Sequence, residues 1–495
     1  MSERVTPRLY KGLRDYLPDQ MGARQRIIDV VRGVYENYGF SPLGTPAIEH
    51  LDVLTGTGGQ EATSSIFRVD GPEDDELGLR FDLTVPLARV VSQYPDLPRP
   101  FRRYQVASVW RADKPDRGRY REFTQFDIDS VGVETQLADV EIMAAMCDAL
   151  TALEVGAFRV KFSSRKVLNL LLKFAEIPAK LQTQREVKQG GQARLEAIEV
   201  EGTDIFRVLD KLDKIGIERV RKELTAGYKD ESGTFVPGLG LGGGQVEKIE
   251  RFLAIRSDTR AGVLSQLSDA FASVEGAAAE IEVLAKMSDR LAMLGYADDR
   301  VGIDLSIARG LAYYTGPVFE TVLLDAPHYG SVCSGGRYDD LVMRFLGERI
   351  PATGTSIGID RLLAALIELN RVKLRASTAR VLVTTMDKGL TDEYVKMAFE
   401  LRRAGIPTEL YLGTAKGFGK QVKHGDMQKI PVVVVYGSDE HTRGVVVLKE
   451  MEEGRVKATE AGSRTEWLRT RPGQLEVPRK DLVAATRQLL AAVGG

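Results

Sequence analysis

The stretch YQVASVWRADKPDRGRYREFTQFDIDSVG, residues 104–132, decides how the rest of the chain is read. Residues 104–110 and 122–132 are rich in β-branched and aromatic residues, and a charged loop with Pro115 and Gly118 separates them, so the segment predicts a hairpin with a long basic loop. Between Arg99 and Arg121 eight basic residues (Arg99, Arg102, Arg103, Arg111, Lys114, Arg117, Arg119, Arg121) meet two Asp, an excess that the whole-chain balance hides. Guanidinium groups stay charged and bind phosphoryl oxygens bidentately, so such a cluster suits a nucleoside triphosphate. The plainer reading is a solvated hairpin loop. Arg111 and Arg121 bracket the loop, and Phe123 on the returning strand offers a ring on which a base can stack.

Upstream, apolar residues at helical spacing predict a helix over residues 22–38, ending at Gly39. Residues 40–54, with Pro42, Gly44 and Pro46, read as an extended, proline-punctuated strand. Residues 77–94 pass from strand alternation into a helix with Thr84 as a cap and Pro86 in its first turn. Downstream, residues 166–294 are dominated by helical patterns and read as a helical insertion. Strands return at 300–307, 318–324 and 330–334, followed by a helix over 360–370, and the strands on either side of the insertion are expected to share one sheet. From Arg380 strands and helices alternate, which indicates a separate C-terminal α/β domain.

The 495 residues, with 68 Lys+Arg against 70 Asp+Glu and 43% hydrophobic residues, fit a globular chain of two to four domains. Two cysteines, Cys147 and Cys333, build neither a disulfide framework nor a thiolate cluster, and the first residues hold no signal-like apolar run, so a cytoplasmic location is expected. No run approaches the ~18 apolar residues of a membrane span. Four scattered histidines without HExxH or CxxC spacing argue against a zinc enzyme and against a histidine-based triad, so no protein-held metal is expected. A formal charge of -2 argues against nonspecific coating of nucleic acid. No GxxxxGK[ST] occurs, and the GxGxxG match at Gly238–Gly243 lacks a preceding buried strand, so it reads as a glycine-rich connection.

Four further clusters are candidates. In Ala308-Arg309-Gly-Leu-Ala-Tyr313-Tyr314-Thr-Gly316 an arginine precedes paired tyrosines and a glycine turn, although such a pair is more often core packing. Ser334-Gly-Gly-Arg337-Tyr338-Asp339 and Gly354-Thr-Ser-Ile-Gly358-Ile-Asp360-Arg361 place glycines at strand positions, where a backbone or ligand approaches closely. In Arg80-Phe-Asp82-Leu83-Thr84, Asp82 is either an exposed residue beside a helix cap or a carboxylate for a substrate amine.

Together these segments resemble the histidyl-tRNA synthetase family of class II aminoacyl-tRNA synthetases. GFSPLGTPAIE, with Pro46, is similar to motif 1, VWRADKPDRGRYREFTQFDIDSVG to motif 2 and GTSIGIDRLL to motif 3; LRFDLTVP, IARGLAYYTGPVFE and CSGGRYDDL are similar to blocks peculiar to the histidine-specific branch. The aspartate in LRFD, where many bacterial members carry a Pro-Glu pair, is similar to the eukaryotic-like branch. The resemblance implies an α+β fold: a mainly antiparallel sheet with flanking helices, a helical insertion, and a C-terminal α/β anticodon-binding domain. It implies a catalytic core over 1–162 and 299–372, the insertion over 163–298 and the anticodon-binding domain over 380–495. It implies a histidine–tRNA ligase that uses ATP, with Mg²⁺, to form histidyl-adenylate and then charges tRNA(His). By position, Asp82, Leu83, Thr84, Arg111, Gln125, Asp129, Arg309, Tyr313 and Tyr314 would bind L-histidine; Arg111, Asp113, Arg121, Phe123 and Arg361 would bind ATP; Arg111 and Arg309 would be catalytic; and Pro46 would lie in a homodimer interface. The C-terminal segment from Arg380 holds 19 Lys/Arg against 15 Asp/Glu, consistent with a tRNA-facing surface. The rival is a noncatalytic paralogue that regulates ATP phosphoribosyltransferase. That group typically lacks the anticodon-binding domain and tolerates loss of the ATP arginines.

Overall fold

The computed structural model describes residues 4–55, 65–72, 74–189, 192–231, 233–307, 314–414, 417–452 and 473–493. It divides into two compact units, Met1–Arg14 with Arg26–Val372 and Asp15–Gln25 with Lys373–Gly495.

The first unit is built on an eight-stranded sheet. Its strands in chain order are β1 (Ser41–Pro42), β2 (Phe101–Trp110), β3 (Glu122–Val131), β4 (Phe158–Ser164), β5 (Val301–Ile303), β6 (Pro317–Leu323), β7 (Ser331–Arg337) and β8 (Ala352–Gly358). In space the order is β1-β2-β3-β8-β7-β6-β4-β5. The outer pairs β1/β2 and β4/β5 are parallel and every other neighbouring pair is antiparallel. This is the expected mixed, mainly antiparallel sheet of an α+β fold, and strands before and after the insertion do share it.

Register gives the sheet two unlike faces. Gln105 pairs with Asp127, Asp127 with Ser356, Ser356 with Ser334, Ser334 with Glu320 and Glu320 with Lys161. Directly paired residues point to the same side, so one polar row crosses six strands. The next row holds Arg103, Asp129, Gly354 and Gly336. On the opposite face Phe126, Ile128, Ile357, Cys333, Phe319 and Phe162 are all buried. The helix Leu137–Ala152, buried nearly all round, lies on that side, and the Thr321 and Thr355 hydroxyls both donate to Met146 Sδ at 3.4 Å. Each such apolar side chain contributes about 1.5–3 kcal/mol when buried. The apolar face therefore explains itself by packing, whereas buried charge on the polar face does not.

Several elements differ from expectation. The first helix starts earlier, spanning Pro18–Asn37. Residues 40–54 are not one strand: Ser41–Pro42 and Ile48–His50 are extended, and Leu51–Leu54 turns helical. The insertion is not purely helical. Lys180–Gln189 pairs with Gln192–Glu201 and Gly227–Lys229 with Phe235–Pro237 as antiparallel hairpins. The glycine run that mimics GxGxxG is a connection, for a physical reason: Leu239, Gly240 and Leu241 N–H groups donate to the carbonyls of Glu223, Thr225 and Leu224 at 2.8–2.9 Å. Its donors satisfy the end of the helix Leu212–Leu224 and are already engaged.

In the second unit Thr408–Leu410, Val381–Val383, Val432–Val435, Val445–Glu450 and Gln474–Pro478 form a five-stranded sheet in that order. The first three strands are parallel and the last two pair antiparallel. The helices Thr391–Arg403 and Leu482–Ala492 supply Tyr394, Met397, Leu401, Leu482 and Ala485 to its core.

Candidate active site

The hairpin β2/β3 joins Arg111 to Arg121, whose backbone groups meet at 2.8 Å, and Asp116 and Arg119 close the loop tip with two mutual hydrogen bonds. Gly118 at the tip would bring a Cβ within 3.3 Å of Arg361 Cγ, so the loop reaches the helix Ile359–Glu368 that follows β8. Arg361 Nη1 donates to Ser331 O at 2.5 Å. Arg121 is tied back to the backbone: Nε donates to Asp113 O and Nη1 to Lys11 O, both at 3.2 Å. The Asp113 side chain is exposed. Arg111 Nε donates to Phe81 O at 2.9 Å, and its Cζ lies 5.3 Å from the Phe123 ring centroid.

The basic cluster is not one surface. Arg102 turns to the other side, donating to Glu141 and to Tyr38 O at 2.7 Å each. Arg103 is fully buried on the polar face, with Nη2 2.7 Å from Asp129 Oδ2, 3.9 Å from Asp127 Oδ2 and bonded to Leu83 O at 3.1 Å. The count of eight cations thus overstates what the loop presents, because a strand sends alternate residues to opposite faces.

Residues Phe81–Leu83 are held from both ends by these arginines, and this presents Asp82 to the polar face. Asp82 is 2% exposed. Its Oδ1 accepts from Val85 N at 3.0 Å, so Asp82, not Thr84, caps the helix Thr84–Gln93, and Thr84 is its first residue. Burial pushes the Asp82 carboxyl up to about 6, against the pull of the Val85 N–H and of Arg111. Its Oδ2 is buried without a hydrogen-bond partner.

On β3, Phe123, Gln125, Asp127 and Asp129 point to this same face. Gln125 Nε2 donates to Ser356 Oγ at 2.8 Å and leaves Oε1 buried without a partner. Asp129 Oδ1 accepts from the Tyr338 hydroxyl. Burial raises the Asp127 and Asp129 carboxyls and the Arg103 charge pulls them back. Gly354 and Gly336 carry this face sideways: a Cβ on Gly354 would stand 2.0 Å from Asp129 Oδ1, and one on Gly336 would stand 3.0 Å from the Tyr314 ring. The two glycines open a floor with Asp129 at one edge and Tyr314 at the other. Pro46 is exposed; its carbonyl accepts from Arg80 Nη1 at 3.0 Å, and Arg80 also holds Thr45 O and Ser108 O.

Of the expected residues, Phe123, Gln125 and Asp129 share this face on β3, Asp82 is buried with its cap bond to Val85, Leu83 O is bonded to Arg103, Arg111 lies against Phe123, and Tyr314 lies beside Gly336, while Thr84 begins the following helix. Arg121 is tied to Asp113 O, Arg361 lies beside Gly118 at the loop tip, and Pro46 is exposed. Arg309 and Tyr313 lie outside the described residues. The sequence places Arg103 with the loop cations and Tyr338 and Ser356 inside candidate clusters without a role, and it does not single out Asp127; the alternation Arg103/Gln105 opposite Gln125/Asp127/Asp129 is the signal that would have joined them. What the face can do chemically follows from its groups: buried acceptors for a ligand's donors, beside arginines and an aromatic ring suited to a nucleotide.

Comparison with known proteins gives the same direction. The histidyl-tRNA synthetase family pattern matches residues 12–362 and an anticodon binding domain matches residues 379–471. Histidine–tRNA ligases of Cereibacter sphaeroides and Paracoccus denitrificans are 42% and 41% identical, each over 97% of this chain and 97% of theirs. The crystal structure of histidyl-tRNA synthetase from Nostoc sp. superposes with a TM-score of 0.77 at 30% identity, over 98% of this chain and 100% of that one. A Bacillus halodurans protein described as an ATP phosphoribosyltransferase regulatory subunit/histidyl-tRNA synthetase, 23% identical over 85% of this chain and 97% of that one, shares the fold with a TM-score of 0.64. With the family pattern covering most of the first unit and relatives aligned nearly end to end, the chain belongs to the histidyl-tRNA synthetase family.

Proposed function

We propose that the polar face of the sheet activates L-histidine with ATP and that the chain then charges tRNA(His), as a histidine–tRNA ligase. The observation that carries this is the set of buried polar groups on a glycine-opened floor, Asp82, Gln125 and Asp129 with Tyr314 at the edge, directly beside Arg111 and Phe123. Asp82, at the start of Leu83–Thr84, and Gln125 receive the α-amino group. Asp129 and the tyrosines Tyr313 and Tyr314 satisfy the two imidazole nitrogens. A pocket built for a polar ring rejects apolar analogues because its own groups would be left unpaired.

No side chain need act as nucleophile. The histidine carboxylate attacks the α-phosphorus of ATP, an O–P bond forms, and the Pα–O bond to pyrophosphate breaks. Catalysis is then alignment plus neutralisation of charge on the reacting phosphoryl group. Arg111 and Arg309 meet the α-phosphate, Arg121 and Arg361 hold the outer phosphates, Phe123 stacks on adenine, and Asp113 lies near the base. Mg²⁺ bound with ATP would help neutralise the charge on its phosphates. The terminal ribose hydroxyl of tRNA then attacks the adenylate carbonyl and releases AMP.

The core is assigned to residues 1–162 and 299–372, with an insertion over 163–298 and the anticodon-binding domain over 380–495. Pro46 and its neighbours contribute to a symmetric homodimer, and the enzyme works in the cytoplasm. Among the described residues no helix is long and apolar enough to cross a membrane.

Gly354→Ala tests the floor. Its Cβ would also stand 2.5 Å from Ile128 O, so Asp129 must move. Overpacking of about 1–3 kcal/mol translates into a rise in the KM for histidine of roughly five- to 150-fold, with the KM for ATP unchanged. Steady-state kinetics with each substrate varied in turn checks this. The function itself is tested by histidine-dependent ATP–pyrophosphate exchange followed by charging of tRNA(His), both of which are expected to be lost in Arg309→Ala.

A further inference from the structure

Asp127 lies on β3 between Gln125 and Asp129, on the same face, opposite Gln105 on β2 and Ser356 on β8. It is 2% exposed. Ser356 hydrogen-bonds its carboxylate, and Asp82 is close enough to act on it electrostatically. The Asp127 Oδ1, like Asp82 Oδ2 and Gln125 Oε1, is buried without a hydrogen-bond partner. Gln105 Oε1, directly opposite Asp127, is also buried without a partner, whereas Asp129 Oδ2 has Arg103 Nη2 at 2.7 Å. Acceptors that lack donors thus gather around Asp127 on one buried face, and two of them belong to acids.

The charges are also out of balance. Asp82, Asp127 and Asp129 share the fully buried cation Arg103, which stands 2.7 Å from Asp129 and 3.9 Å from Asp127. Arg111, half-buried at the rim, acts on Asp82. Buried carboxylates are costly unless paired and hydrogen-bonded. A ligand group that brings positive charge and several N–H donors meets both deficits at Asp82, Gln125 and Asp127, and a primary ammonium is such a group. Resting on the histidine-activating reading above, we infer that Asp127 is a third acceptor for the α-ammonium of histidine, beside Asp82 and Gln125, and thereby a specificity-determining residue that demands a charged amine on the substrate.

Asp127→Asn keeps the side chain's shape and removes its charge. In ATP–pyrophosphate exchange the KM for histidine is expected to rise roughly ten- to a hundred-fold, the scale of a charged hydrogen bond, while the KM for ATP stays unchanged. Two competitive inhibitors separate this from general damage: histidinol keeps the ammonium, and imidazolepropionate lacks it. In the unaltered enzyme histidinol should bind at least tenfold more tightly; in Asp127→Asn that advantage should shrink by about the factor lost in KM, with imidazolepropionate unaffected. Equal weakening of both inhibitors, or an unchanged KM, would overturn the inference. Asp127→Ser, smaller than the native side chain, carries the same two readings should the amide variant not fold. Equal binding of the two inhibitors by the unaltered enzyme would overturn the inference without any variant. Absence of histidine-dependent exchange in the unaltered enzyme would remove the functional reading and this inference with it, whereas normal exchange with an unmoved KM in Asp127→Asn removes this inference alone.

Discussion

Arg111→Ala is expected to lower the rate of histidine-dependent ATP–pyrophosphate exchange by roughly 10²–10³-fold, the scale seen when one preorganised donor to a developing charge is removed. The guanidinium has its place before any substrate arrives. Nε is fixed on Phe81 O at 2.9 Å, Cζ stands near the Phe123 ring, and the group looks onto Asp82. Because Nε is used for positioning, the terminal nitrogens are left for oxygen ligands in the planar geometry that phosphate and carboxylate accept. Arg111→Lys is therefore not a mild change. Lysine supplies the charge without the fork or the anchor to Phe81, and most of the loss should remain. Single-turnover adenylation rates measured beside KM values separate this from weaker binding: the rate constant should carry the larger part. A loss confined to KM, with the rate constant intact, would show that Arg111 binds ground and transition states alike.

Arg103→Met should act on stability. Arg103 is buried to 0% exposure and is the counter-charge of both Asp129 and Asp127. Removing one partner of a buried pair leaves the other charge uncompensated, at a cost of about 3–5 kcal/mol. Urea unfolding of the full chain should show this as a lower midpoint with an unchanged slope. The pH dependence has a definite sign. Burial raises both carboxyls above their unfolded range near ~4, and losing Arg103 raises them further. Between the unfolded and folded values the unfolded chain has released protons that the folded one retains, so stability falls as pH rises through that window. The deficit of Arg103→Met is accordingly largest at neutral pH and shrinks as the pH is lowered toward ~4. A deficit below about 1 kcal/mol at neutral pH would mean that the two aspartates do not depend on Arg103.

These two arginines also show what could be read from the chain alone. The hairpin was legible because alternation in Tyr104–Trp110 and Glu122–Val131 is strong and the loop between them is plainly polar. Arg111, Phe123, Gln125 and Asp129 could be placed on it by counting. By charge alone Arg103 counts with the loop cations, since charge along a sequence carries no side; only the pairing Arg103↔Asp129 puts it beside Asp129 on the polar face. Asp127 was passed over for the same reason: its meaning lies in Ser356 across the sheet and in Asp82 from a separate loop, both contacts set by tertiary structure. At Asp82 the sequence offers an exposed residue beside a Thr84 cap or a carboxylate for an amine; the fold instead buries it, with one oxygen capping Val85 N and the other left without a hydrogen-bond partner. The hairpins of the insertion escape a sequence reading because amphipathic helices flank them and strands such as KLQTQREVKQ and QARLEAIEVE are dominated by polar residues.

The central claim is that this face activates histidine. It is tested most directly by ATP–pyrophosphate exchange with each of the twenty amino acids offered singly to the full-length protein. The account predicts exchange with histidine and with no other amino acid, abolished in Arg309→Ala. Exchange driven by a different amino acid, or none at all from folded protein, would contradict it.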